Sequence, residues 1–132
     1  MPAGETQYEK GMRIRREVVG DDYVDRALEH AGEFAGVLQD YLATNCWGTV
    51  WAREELPRST RSLVTLAILA STNKWTELTT HVRGAIRNGC SPEEIREVFL
   101  QLFVYAGAPA ALEAFRHAEA AIAAAADKSS PT

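Results

Sequence analysis

Along most of the chain apolar residues return at intervals of three and four, and no period-two alternation bounded by turn residues runs long enough for a strand. The pattern predicts six helices. The first spans about Thr6 to Val19, with Tyr8, Met12 and Val19 on one side, the basic Arg13, Arg15 and Arg16 largely on the other, and Gly20 as its stop. Asp21 or Asp22 then caps a second helix, where Val24, Ala27, Leu28, Ala31, Phe34, Ala35, Leu38 and Leu42 carry the repeat to about Thr44. The stretch "NCWGTVWAREELPR" interrupts the pattern with Gly48 and Pro57 and reads as a connection with room for a short helical turn.

Pro57 suits the first turn of a third helix, where its missing N–H costs nothing. The run "SLVTLAILAS" that follows is apolar almost all round, which predicts burial between layers or in a subunit interface; "STN" ends it. The fourth helix is "NKWTELTTHVRGAIRNG", closed by Gly89 after Asn88. Ser91, Pro92 and Glu94 form a capping box that opens the fifth helix, lined by Ile95, Val98, Phe99, Leu102 and Phe103 up to Gly107. Pro109 opens the sixth through Leu112, Phe115, Ala118 and Ile122, and "DKSSPT" reads as a frayed tail. No repeat and no second zone of composition interrupts this order. The expectation is an all-α, single-domain bundle with residues 5–126 ordered and 127–132 as tail.

Composition narrows the function more than the fold. The 132 residues carry 14 basic against 18 acidic side chains, a net charge of −4, with no broad basic stripe, so nucleic acid is not the expected partner. No window approaches the 18 or more apolar residues of a membrane span, and the first residues contain no apolar signal core, which places the protein in the cytoplasm. Cys46 and Cys90 stand 44 positions apart with no CxxC pair and no zinc-like spacing to a histidine, so both read as reduced thiols and no metal site is expected.

Two constellations carry chemistry. On the fourth helix Trp75, Leu78, Val82, Ala85 and Ile86 centre an apolar stripe, with His81 about a quarter-turn off it and Glu77 one turn before. A carboxylate there favours an oriented, protonated imidazole fit for acid–base work; the alternative is a histidine that merely edges a core. The second constellation is Arg58 and Arg61 at the start of the third helix, with Arg53 upstream and Arg83 on the fourth. Guanidinium groups at a helix N-terminus suit a carboxylate ligand, against the alternative of a solvated helix start. Trp47, Trp51 and Trp75 suit core or interface anchors better than ligand walls, and His30 and His117 receive no role.

Taken together, "GMRIRREVVGDDYVDRAL", "NCWGTVW", "LPRSTRSLVTLAILA", "LTTHVRGAIRNGCSPEEIREVFLQ" and "YAGAPAALEAF" resemble, in order and spacing over nearly the whole chain, the 4-carboxymuconolactone decarboxylases of the β-ketoadipate pathway. That family is related to the AhpD-like alkylhydroperoxidases, which use a CxxC pair upstream of a histidine. Matching His81 to that histidine puts Lys74 and Glu77 where the cysteines belong, so thiol peroxidase chemistry lacks its atoms. Glu54 and Glu55 stand where the decarboxylase pattern leads one to expect a Pro-Gly turn.

The resemblance implies cofactor-independent decarboxylation of 4-carboxymuconolactone to 3-oxoadipate enol-lactone in aromatic catabolism, by a homo-oligomer, hexamer or trimer. It assigns the surviving carboxylate to Arg58 and Arg61, the proton or oxyanion role to His81 oriented by Glu77, and a dry wall beside the departing carboxylate to Trp47 and Trp51. The competing expectations are a decarboxylase or isomerase acting on another acidic lactone or keto acid, and a non-catalytic oligomeric binding protein.

Overall fold

The computed structural model describes residues 4–129, and the side chains up to Asp127. Among the described residues six α-helices and one π-helix account for nearly all regular structure, with no strand. The chain divides into two compact units, with the division between Pro57 and Arg58.

In the first unit α1 (Gln7–Val19), α2 (Asp21–Tyr41) and a π-helix (Leu42–Val50) pack on one another. Thr6 caps α1 through a reciprocal box with Glu9, and Gly20 turns the chain at φ 91°. α2 starts directly from Gly20, with no side-chain cap from Asp21 or Asp22. Those acidic residues are instead part of the dipole-favoured first turn, and Arg16 reaches across to Asp21 (3.0 Å) and Asp25 (2.9 Å). The predicted connection after Thr44 is regular: backbone bonds such as Trp51 N–H to Cys46 O (3.0 Å) skip five residues, the π-helical pattern. Its wide turn brings Trp47 and Trp51 into a stack with centroids 5.0 Å apart. Both indoles sit in a core with Ile14, Val18, Val19 and Val24. Arg15 departs from the predicted polar face of α1; it is buried, donating to Gln39 Oε1 at 2.8 Å, while Arg13 pairs at the surface with Glu5 (2.9 Å).

The second unit holds α3 (Arg58–Ser71), α4 (Trp75–Arg87), α5 (Pro92–Ala106) and α6 (Ala108–Ser129). Neighbours run α3, α4, α6, α5 and back to α3, a four-helix ring. Its core is Leu66, Leu78, Val82, Ile95 and Phe99, with Phe99 edge-on to Phe115 at 6.0 Å. Ala114, Ala118 and Ala121 on α6 let α4 and α5 approach closely. The Ser91–Glu94 capping box and Pro92 open α5 as the spacing predicts, and Gly89 (φ 95°) follows α4. Val64 and Ile68 on the apolar α3 stay 46% and 56% exposed within the chain. One expectation changes: α6 continues through Asp127 to Ser129, with the remainder of the expected tail outside the described residues.

Candidate active site

The turn into α4 is tight. Asn73 takes the left-handed conformation (φ 61°), tolerable for asparagine, and Lys74 N–H returns to Leu69 O at 2.9 Å, so α4 folds back along α3. α4 is then buried on more than its apolar stripe. Leu78, Val82 and Ala85 are inside as the period predicts, but Thr80 and Gly84 are inside too. On the wheel His81 falls between Leu78 and Gly84, so it is carried inward rather than left at a margin.

The consequence is electrostatic. With Nδ1 out of solvent, desolvation pushes the His81 pKa down from 6.5 to about 4. Burial is the cause of the shift, and Glu77 stands exposed on the preceding turn. The expectation of a carboxylate-held imidazolium is therefore corrected: at neutral pH His81 is an uncharged imidazole with one N–H donor and one acceptor nitrogen.

Arg58 and Arg61 occupy the first turns of α3, both half-buried, and no acidic residue stands in that first turn. Guanidinium groups are donors that can grip a carboxylate bidentately. Two hydrogen bonds fix where this end lies within the unit. Asn88 Nδ2 donates to the buried Ser62 Oγ at 2.8 Å, and Cys90 Sγ donates to Ser59 O at 3.3 Å. They tie the opening of α3 to the end of α4, so the arginines ride on the helix beside the one that carries His81. Spacing alone did not single out Ser62 and Asn88. The available signal was a polar residue opening an otherwise apolar run, which when buried must find a partner.

The other sequence candidates fall elsewhere. Trp47 and Trp51, 6% and 7% exposed in the first unit's core, are anchors, leaving little indole surface for a ligand. Arg53 lies on the exposed loop, 3.4 Å from Glu55, and Arg83 is half-buried on α4. His117 stacks on Trp75 (5.4 Å, 8°) and approaches Glu113 at 3.4 Å, a packing role. Both cysteines are free thiols with pKa raised by burial, opposed by Arg15 at Cys46 and reinforced by Glu94 at Cys90. Neither is poised as a nucleophile.

Comparison with known proteins matches the same helices. The model of the carboxymuconolactone decarboxylase family covers residues 37–120, from the end of α2 into α6. A 4-carboxymuconolactone decarboxylase of Acinetobacter baylyi is 40% identical over 115 residues, spanning 87% of this chain and 86% of that protein. A nitrosuccinic acid decarboxylase of Metarhizium robertsii is 42% identical over 107 residues, 81% of this chain and 75% of that one. A 4-carboxymuconolactone decarboxylase of Pseudomonas putida matches at 40% over 42 residues, 32% of this chain. With most of its length aligned at this level and α3 to α5 wholly inside the matched region, the chain belongs to the carboxymuconolactone decarboxylase family.

Proposed function

We propose that this protein is a cofactor-independent carboxy-lyase that converts 4-carboxymuconolactone to 3-oxoadipate enol-lactone in the cytoplasm. The observation that carries the reading is the half-buried, neutral His81 on the helix beside Arg58 and Arg61, in a chain 40% identical to a 4-carboxymuconolactone decarboxylase over most of both lengths.

The chemistry asks little of the protein beyond electrostatics. When the ring carboxylate leaves as CO2, its bonding pair delocalises through the ring double bond into the lactone carbonyl, so the substrate supplies its own electron sink. Negative charge gathers on the carbonyl oxygen, and a proton is then taken up at the ring carbon beside that carbonyl, which leaves the ring double bond at the carbon that lost CO2, as an enol-lactone requires. Arg58 and Arg61 hold the carboxylate that stays. His81 donates its N–H to the developing enolate oxygen. A neutral imidazole suits that task, because it stabilises the oxyanion without also neutralising, and so stabilising, the carboxylate that must leave. Glu77 has no part in this version of the mechanism.

A second substrate is favoured by the nitrosuccinic acid decarboxylase, 42% identical to this chain. The two named substrates share a logic: each is a diacid with an electron acceptor, lactone in one and nitro group in the other, able to take the pair left by CO2. Steady-state kinetics on both compounds decides between them. The expected result is a higher kcat/KM for the lactone, with Arg58→Ala and Arg61→Ala each raising KM roughly 10- to 100-fold, as lost charged hydrogen bonds of about 1.5–3 kcal/mol require. Preference for nitrosuccinate transfers the assignment to the second substrate; turnover of neither removes both.

A further inference from the structure

Arg15 plays no part in the decarboxylase reading, yet its side chain is sunk in the first unit, 4% exposed between the buried Ile14 and Val18 on α1. A buried cation is costly unless an anion offsets it. Among the described residues no carboxylate pairs with this one: Glu5 is taken by Arg13, and Asp21 and Asp25 by Arg16. Nη1 donates to a neutral acceptor, Gln39 Oε1, at 2.8 Å, and Nε lies out of solvent with no hydrogen-bond partner. Burial pushes the pKa of this group below the usual arginine value, while Tyr23 and Cys46 beside it act in the other direction. The guanidinium remains a cation at neutral pH.

The backbone is shaped to gather this cluster. Tyr23 and Gln39 both bond to the Arg15 guanidinium, although along a straight helix they would stand roughly 24 Å apart. Gly32 brings them together by breaking α2 at φ 61°, ψ −165°, a conformation essentially restricted to glycine. The π-helix sets Cys46 against the same group. Tyr23 and Cys46 are only half-buried, so the cluster keeps a side toward solvent. We propose that Arg15, with Tyr23 beside it, is a binding site for a small carboxylate, additional to the arginines of α3. The carboxylate supplies the negative charge that the cluster lacks, and its two oxygens match the fork of N–H groups that a guanidinium presents at Nε. The site does not depend on which substrate the protein decarboxylates.

The test uses sodium formate as the probe, exchanged for sodium chloride at constant ionic strength while thermal unfolding is followed. It is run on the wild type and on an Arg58→Ala/Arg61→Ala chain, in which the α3 arginines cannot respond. Both are expected to gain melting temperature saturably, half-saturated at roughly 1–10 mM, near the limit for a ligand of three heavy atoms. Arg15→Met is expected to lose the response with helical circular dichroism unchanged. Arg15→Lys, which keeps the charge without the fork, is expected to raise the half-saturating concentration at least tenfold, and Tyr23→Phe about fivefold, as loss of one neutral hydrogen bond requires. Three results overturn the proposal: no saturable gain in the wild type, a gain that disappears in the Arg58→Ala/Arg61→Ala chain, or a full response in Arg15→Met. Should Arg15→Met fail to fold, half-saturation unmoved in both Arg15→Lys and Tyr23→Phe overturns it equally.

Discussion

With its pKa pushed down to about 4, His81 meets neutral solution as an imidazole, and this has a consequence for stability as well as for catalysis. Between pH 6.5 and 4 the unfolded chain binds a proton at this position that the folded chain refuses. Stability therefore rises with pH across that window and is level above it with respect to this group. The full span corresponds to something on the order of 3 kcal/mol. Denaturant titrations at a series of pH values are expected to show the slope in wild type and its loss in His81→Gln; an unchanged slope in the variant places the proton elsewhere. Glu77→Gln is expected to change kcat/KM by less than about fivefold, since a surface charge of this kind is worth under about 1 kcal/mol; a fall of tenfold or more restores the carboxylate to the mechanism. The sequence singled out His81 but misjudged its state. A wheel with one apolar stripe left it at a margin, because nothing in a 3.6-residue period says that Thr80 and Gly84 are also covered.

Among the elements, the π-helix rests on a close crossing that glycine permits. A Cβ on Gly11 of α1 meets the carbonyl oxygen of Ala43 at 1.6 Å, and one on Gly48 meets Gln7 O at 2.5 Å. These are backbone atoms, which cannot swing aside. Gly11→Ala is therefore expected to destabilise the protein by about 3 kcal/mol or more, read as a lower urea midpoint. A loss under about 1 kcal/mol shows that the crossing relaxes cheaply. Helix ends were legible wherever the signal was local: Gly20, Gly89, Gly107 and the Ser91–Glu94 box act within a few residues. The π-helix and the break at Gly32 were not. One depends on α1 lying against Ala43 and Gly48, and the other leaves Phe34 in step with the periodicity yet 98% exposed.

At the scale of the molecule, the all-α architecture that periodicity implied is the one that forms, and its contacts group into two units. No shift in composition marks the division at Pro57, which lies at a helix start like any other. The second unit carries His81, Arg58 and Arg61 together, on helices joined by the Ser62–Asn88 bond, so the groups assigned to the chemistry share one packed frame. No helix among the described residues is long and apolar enough to cross a membrane. What the frame accomplishes is most directly tested by measuring CO2 release from 4-carboxymuconolactone by the wild type and by His81→Ala, with folding checked by circular dichroism. The account predicts release by the wild type without added metal or cofactor and a fall of about 10²–10³-fold in kcat for the variant, the usual loss for one oxyanion donor. A wild type that releases no CO2, or a variant that keeps more than about a tenth of the rate, less than roughly 1.4 kcal/mol of barrier, contradicts it.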